Sequence, residues 1–374
     1  MPSYINKALE QPIDRMAVIE GCSVDLKHAV ESLKEIGACR VLVQSPLGFR
    51  KVAVKVGEML EKEGFDVTLS SSNCWGGCDV AYYEASALDI DAIIHLGHSR
   101  FLRKDKKPTI YLECRYVDDR PLRSLIPQTA EALKGFGTVG LGSSVQWLDH
   151  LNVIAEELKK TGLEVLTAKP SMYAVETAQV LGCDVSALKT LENVVDAFLV
   201  VGSIFHGLGI SLLTNKPSYA ADPHTQNVKN LWEMRERILK QRYYNIERFK
   251  KCENVAVLVS VKPGQKRLGL ARKINRMLKS FGKNSFILVT DEITANTVME
   301  NRFDGFVNTA CPRLSIEDQS QFSKPVLLPA EAMIALGVLK WEEVVDMGLL
   351  MYPWGWKGQD MGRKFWRPLR EIVT

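Results

Sequence analysis

The sequence predicts an α/β protein of three repeated small parallel-sheet (βαβ) domains around a pseudo-threefold centre. Three observations predict it. Two short markers recur with one period. Strand-like runs alternate with amphipathic stretches of about ten residues. One tetrapeptide containing cysteine occurs at equivalent places in two of the copies.

The first marker is an apolar run opened by Asp: Asp91-Ala-Ile-Ile-His-Leu-Gly, Asp196-Ala-Phe-Leu-Val-Val-Gly and Asp304-Gly-Phe-Val-Asn-Thr-Ala, spaced 105 and 108 residues apart. The second is Lys-Pro followed by a β-prone run, at Lys107, Lys216 and Lys324, spaced 109 and 108 apart. Two independent markers on one period identify an internal repeat. Upstream, copy one reads Arg40-Val-Leu-Val-Gln-Ser as a strand, then a helix from about Ala53 to Glu63, then the strand Asp66-Val-Thr-Leu. Copy two offers Thr138-Val-Gly-Leu-Gly-Ser, a helix over Leu151–Lys160, and Glu164-Val-Leu-Thr. Copy three offers Val255-Ala-Val-Leu-Val-Ser, a helix over Leu268–Phe281, and Ser285-Phe-Ile-Leu-Val-Thr. Short apolar runs alternating with helices give parallel βαβ units. The expected domains are 1–130, 131–250 with a linking helix over Asn227–Lys251, and 251–340. A tail, 341–374, carries Trp354, Trp356 and Trp366 and has no role the pattern assigns.

Composition narrows the function. Hydrophobic residues at 46% and charged residues at 25% are ordinary for a globular chain and exclude disorder. A net charge of +4 over 374 residues is too small to argue for direct nucleic-acid binding. The longest apolar runs fall far short of the ~20 residues of a membrane span. The start, Met-Pro-Ser-Tyr-Ile-Asn-Lys, lacks a basic-then-apolar leader, so a cytoplasmic location is expected. Gly135-Phe-Gly-Thr-Val-Gly140 fits the dinucleotide pattern but precedes a strand, so it reads as a turn.

Eight cysteines, in a reducing compartment, are not expected to form structural disulfides. Gly77-Cys78-Asp79-Val80 and Gly182-Cys183-Asp184-Val185 both place Cys 13 residues before the marker Asp. Copy three has Asp291 at that place and carries Cys311 instead, in Thr309-Ala-Cys-Pro-Arg, just past its third strand. Ligands in open α/β sheets bind outside the carboxyl ends of strands. Three such thiolates around a threefold centre suit a 4Fe-4S cluster with one iron open to substrate. The competing reading is three buried structural cysteines, and zinc is disfavoured because no Cys-x-x-Cys pair is present. Cys74 has no counterpart in copy two and reads as a neighbour of the site. Cys22, Cys39, Cys114 and Cys252 read as core or surface residues.

Six segments carry a resemblance: Cys74-Trp-Gly-Gly-Cys-Asp-Val80, His95-Leu-Gly-His-Ser99, Gly182-Cys-Asp184, the stretch 201–209, Ser260-Val-Lys-Pro-Gly-Gln265 and Asn308-Thr-Ala-Cys-Pro-Arg313. Over roughly residues 30–335 the chain resembles the archaeal diphthamide synthase family. The resemblance implies a 2-(3-amino-3-carboxypropyl)histidine synthase: a homodimer of three-domain subunits with a 4Fe-4S cluster on Cys78, Cys183 and Cys311. It implies S-adenosylmethionine as co-substrate, cleaved so that the aminocarboxypropyl group passes to a histidine of translation elongation factor 2. An electron donor is implied but not identified.

Combined with the repeat, the resemblance gives candidate contacts for the co-substrate. First-strand ends supply Ser45, Ser143, Ser144, Gln146, Ser260 and Gln265. Third-strand ends supply His98, Ser99, Ser203 and His206. Asp291 is placed to take ribose hydroxyls, and Arg313, with Arg100 and Lys262, to clamp a carboxylate. Two other readings stand beside this one. Quinolinate synthase resembles the same plan but uses its open iron as a Lewis acid. A non-catalytic subunit would deliver electrons or act as a scaffold.

Overall fold

The computed structural model describes residues 16–171, 173–348 and 350–351. Two short strands come first, β1 (Ala17–Ile19) and β2 (Cys22–Val24). The first parallel sheet follows: β3 (Arg40–Gln44), β4 (Asp66–Leu69), β5 (Ala92–Leu96) and β6 (Thr109–Leu112), with β7 (Arg115–Tyr116) just after it. The second comprises β8 (Thr138–Ser143), β9 (Glu164–Thr167), β10 (Ala197–Val201), β11 (Ser218–Asp222) and β12 (Asn227–Asn230). The third comprises β13 (Asn254–Ser260), β14 (Asn284–Thr290), β15 (Gly305–Asn308) and β16 (Val326–Leu327).

All three sheets have one order. Written by appearance within the repeat, it is second–first–third–fourth: β4-β3-β5-β6, β9-β8-β10-β11 and β14-β13-β15-β16, every pair parallel. The first and third strands are central and buried almost throughout, hence their unbroken Val/Ile/Leu/Ala runs. Second strands are edges and alternate more freely. The helix after each first strand buries one stripe. Arg50–Lys62 buries Val52, Ala53, Val56 and Leu60; Leu268–Ser280 buries Leu270, Ala271, Ile274 and Met277.

The structure explains both markers. Asp91 Oδ2 accepts the backbone N–H groups of Cys39 (3.1 Å) and Arg40 (2.8 Å), at the start of β3. Asp196 Oδ2 accepts those of Gly137 (2.8 Å) and Thr138 (2.9 Å), at the start of β8. Asp304 Oδ2 accepts those of Glu253 (3.3 Å) and Asn254 (2.9 Å), at the start of β13. In each repeat one carboxylate thus pins the foot of the third strand to the foot of the first. The proline of each Lys-Pro continues the ladder: the carbonyls of Pro108, Pro217 and Pro325 accept from Ile93, Phe198 and Phe306, each at 2.9 Å.

Several elements depart from the pattern. β1, β2 and β7 make a small antiparallel sheet that the repeat does not contain. The expected helix over Asn227–Lys251 begins only at Trp232; residues Asn227–Asn230 form β12, antiparallel to β11. Part of the expected tail packs: the helix Trp341–Asp346 sets Trp341 against Tyr243, with ring centroids 5.5 Å apart. Trp354, Trp356 and Trp366 lie outside the described residues. No described helix is long and apolar enough to cross a membrane.

The chain divides into two compact units between Asp119 and Arg120. The first has its own core, including Val41, Val43, Val56, Leu60, Ile94 and Leu112. In the second, the second and third sheets share one core with the long helix Trp232–Lys250. Inside that core Arg242 and Glu331 are fully buried as an ion pair. Arg242 Nε donates to Glu331 Oε1 (2.7 Å), Nη1 to Ser315 O (2.5 Å) and Gln319 Oε1 (2.9 Å), and Nη2 to Val326 O (2.8 Å) and Glu331 Oε2. All five guanidinium protons are used, which is what allows the charge to be buried.

Arg242→Met removes one partner and leaves Glu331 uncompensated. Chemical denaturation should show a loss of about 3–5 kcal/mol. The marker carboxylates give a pH dependence. The backbone N–H groups they accept lower all three, Asp91 to about 2, with the Arg40 guanidinium adding to the effect there. Their contribution is therefore complete above the unfolded carboxylate value near 4 and is lost as pH falls through each lowered folded value, about 2 for Asp91. Acid unfolding followed by circular dichroism should be flatter between about pH 4 and about pH 2 for Asp91→Asn than for the parent chain.

Candidate functional site

The second–first–third–fourth strand order creates a switch point between the first and third strands of each sheet. The crevice outside their carboxyl ends is the place for a ligand. Ser45, Ser143, Ser144 and Ser260 stand at first-strand ends and are buried there. His98, Ser99 and Ser203 stand just past third strands, and Asp291 just past β14.

In the first unit Cys78 is half-buried in the loop between β4 and the short helix Tyr82–Ala87. Two close approaches shape this loop. A Cβ on Gly77 would lie 2.6 Å from the carbonyl oxygen of Ser99, so only glycine lets the loop lie on the segment after β5. Gln44, at the end of β3, donates from Nε2 to Asp79 O (2.8 Å) and accepts at Oε1 from Ala81 N–H (3.0 Å). Its Oε1 also faces His95 Nδ1 at 3.0 Å. His95 is fully buried in β5. Burial, with the neighbouring His98, holds its imidazole well below the usual range, so it is neutral. Its Nε2 faces His98 Nδ1 at 3.1 Å and Cys74 Sγ at 4.0 Å. Cys74 is therefore part of a built side-chain cluster.

Cys183 is half-buried before the short helix Ser186–Lys189. A Cβ on Gly182 would sit 2.0 Å from Phe205 Cε1, so the loop lies directly on that ring. A second neighbour of the ring is Arg313, whose guanidinium carbon is 5.1 Å from the ring centroid. Phe205 thus joins the surroundings of Cys183 to those of Cys311. Asp184 accepts from Ser171 Oγ (2.7 Å), Tyr173 N–H (3.2 Å) and Ser186 Oγ (2.6 Å), folding the loop around its own carboxylate. Backbone bonds between Ser143 and both Ala178 and Val180, each 2.8 Å, tie it to the end of β8. Ser203 Oγ and His206 Nδ1 are 3.0 Å apart. Burial and the Arg313 charge hold the half-buried His206 down at about 4. Gln146 is half-buried just past β8.

Cys311 is half-buried and extended (φ −67°, ψ 127°), and Pro312 starts a short helix immediately after it. Asn308, at the end of β15, accepts from Ala310 N–H (2.8 Å) and donates to Cys311 O (2.7 Å) and Ser315 Oγ (3.1 Å). Ser260 Oγ donates to Asp291 O (2.9 Å), bringing those two candidates together, and Gln265 is buried nearby in the chain. The candidate carboxylate clamps have partners already. Arg313 pairs with Glu317 at 2.8 Å, Lys262 with Glu292 at 3.5 Å, and Arg100 with Asp105.

Sequence reasoning missed Gln44, Asn308, Phe205 and His95. Gln44 and Asn308 do one job in two repeats: a buried carboxamide at a strand end holds a cysteine loop by both its donor and its acceptor. The available signal was a polar residue closing an otherwise apolar strand.

A family described as "Putative diphthamide synthesis protein" matches residues 45–345. The 2-(3-amino-3-carboxypropyl)histidine synthase of Pyrococcus horikoshii is 33% identical over 310 residues, 83% of this chain and 89% of the relative. Subunit 1 of the human synthase is 24% identical, over 88% of this chain and 76% of the relative. The crystal structure of Dph2 from Pyrococcus horikoshii with a 4Fe-4S cluster superposes with a TM-score of 0.77 at 30% identity, covering 87% of this chain and 92% of that one. Family match, relative and fold agree: the chain belongs to the diphthamide synthesis protein family, and is a transferase like its named relatives.

Proposed function

We propose that the chain transfers the 3-amino-3-carboxypropyl group of S-adenosylmethionine to a histidine of translation elongation factor 2, the first step of diphthamide formation. Cys78, Cys183 and Cys311 would hold a 4Fe-4S cluster, one cysteine from each of three repeated domains. The observation that carries this reading is the treatment the three cysteines share. Each is half-buried on a loop beyond a strand end and held by hydrogen bonds from a central strand's end, whereas Cys22, Cys114 and Cys252 are buried among core residues. Three thiol donors with no Cys-x-x-Cys pair suit an iron–sulfur cluster with one open iron better than closed zinc coordination.

When bound, such a cluster supplies the electron that breaks the sulfonium bond to the aminocarboxypropyl carbon. The chain decides which of three carbon–sulfur bonds faces that electron, a matter of about an ångström in how the co-substrate is held. Ser45, Ser99, Ser143, Ser144, Gln146, Ser203, Ser260 and Gln265 line strand ends where backbone and hydroxyl groups can orient it. His98 engages His95 through Nδ1, so any contact it makes with the co-substrate is through Nε2. His206, near neutral at working pH, adds a polar edge without a charge. Asp291 would take ribose hydroxyls. Arg313 would bind the carboxylate while retaining Glu317, which makes it a weaker clamp than an arginine with no acidic neighbour. The enzyme would act in the cytoplasm as a homodimer, reduced by a separate electron donor, with no nucleic acid or membrane involved.

Anaerobic protein should carry about four irons and four sulfides per chain. Cys78→Ala, Cys183→Ala and Cys311→Ala should each lose them, while Cys74→Ala keeps them. With dithionite and S-adenosylmethionine, mass spectrometry should find 5′-methylthioadenosine and aminocarboxypropyl products. If 5′-deoxyadenosine dominates, the proposed cleavage is wrong. Label should reach intact elongation factor far better than its isolated loop peptide, because ordering a free peptide costs ~1–2 kcal/mol per residue. Equal labelling of the two would remove any role for the folded surface.

A further inference from the structure

Cys74, His95 and His98 are not needed by the cluster, yet they are the described group of Cys, His and acidic side chains whose donor atoms converge. One donor atom from each lies within 4.8 Å of the other two, and His95 Nε2 stands 4.0 Å from Cys74 Sγ and 3.1 Å from His98 Nδ1. We propose that they form a second, mononuclear site for a divalent transition metal of the zinc class, with one thiolate, two imidazoles and an open fourth position.

The hydrogen bonds prepare one ligand completely. Gln44 Nε2 donates to the carbonyl of Asp79 and its Oε1 accepts from Ala81 N–H, so the amide cannot be flipped. His95 Nδ1, 3.0 Å from that oxygen, must then carry the proton. Its Nε2 is left with a lone pair directed at His98 and Cys74. A buried partner that fixes the tautomer in this way is the usual support of a metal-bound histidine.

Distances agree with the assignment. Metal–nitrogen bonds of about 2.0–2.1 Å and metal–sulfur bonds of about 2.3 Å at tetrahedral angles put N···N near ~3.3 Å and S···N near ~3.6 Å. Two of the three separations here are 3.1 Å and 4.0 Å and the third is no more than 4.8 Å, so side-chain shifts of about an ångström would complete the site. The donors are one sulfur and two nitrogens, with no carboxylate among them, which selects against calcium and magnesium. Binding would release the Cys74 thiol proton to solvent and move the His98 proton from Nδ1 to Nε2, with no change of oxidation state. One proton would leave per metal.

Such a metal would join the Cys74–Cys78 loop to the carboxyl end of β5. The loop already rests there through Gly77, whose backbone lies against Ser99. The site is independent of the cluster proposal, and the test separates the two.

The probe is Co²⁺ added anaerobically to the full-length chain carrying Cys183→Ala, which removes cluster absorption and leaves the first unit unchanged. One equivalent should bind, with tetrahedral visible bands, a thiolate-to-cobalt band in the near ultraviolet, and release of about one proton. Cys74→Ser in this background should abolish the thiolate band and weaken binding at least about tenfold, and His98→Ala should weaken it to the same degree. Cys78→Ala should change neither. Thermal melting of each variant excludes unfolding as the cause, and X-ray absorption of the zinc form should show one sulfur and two imidazole neighbours. Absence of Co²⁺ binding, or binding that follows Cys78 and not Cys74, overturns the site. Iron and sulfide content of the Cys183→Ala chain reports on the cluster proposal separately.

Discussion

One carboxylate, used three times, sets the frame on which every loop depends. Asp91, Asp196 and Asp304 each accept two backbone N–H groups that open the first strand of their own sheet. These N–H groups lie at solvent-exposed strand feet, so what each carboxylate adds is direction more than burial energy. By meeting them, the aspartate fixes the register of third strand against first. A one-residue slip would turn every side chain to the other face. Since the central strands are buried on both sides, the slip would also misplace the strand ends from which Gln44, Ser143 and Asn308 anchor the cysteine loops.

From those ends, each loop is held by different means. Gln44 and Asn308 use a carboxamide, whereas the Cys183 loop uses backbone pairing to Ser143 and the carboxylate of Asp184. The buried Arg242 extends the third anchor into the core, since it holds the carbonyl of Ser315, in the helix that follows Cys311, and that of Val326 in β16. Buried polarity is thus concentrated where loops must be rigid. The apolar mass of the shared core could not give that rigidity, because dispersion and burial are non-directional.

The sheets were legible because central strands buried on both faces write themselves as continuous apolar runs, and the period of the markers exposed their number. The loop places of Cys78 and Cys183, equivalent in that period, and of Cys311, just past a third strand, were legible in the same way. β12 was not: Asn227-Val-Lys-Asn has the polarity of the helix that follows, and only pairing with β11 makes it a strand. The antiparallel strands at the N-terminal side were hidden for a related reason, being two or three residues long. Gln44, His95 and Phe205 were hidden because most of their partners lie more than 20 residues away in sequence, and no local spacing records such a contact.

The ring of Phe205 has a consequence for how sequences of this fold can change. It is pressed against the missing side chain of residue 182 on one hand and the guanidinium of residue 313 on the other. Any side chain at 182 must be admitted by a smaller residue at 205, and a smaller residue at 205 takes away the surface on which the 313 cation rests. The three positions, 182, 205 and 313, can therefore drift only together, so an exchange at one is a step that waits for two others. The segment that carries Phe205 is in this way bound to the history of the cysteine loops it supports.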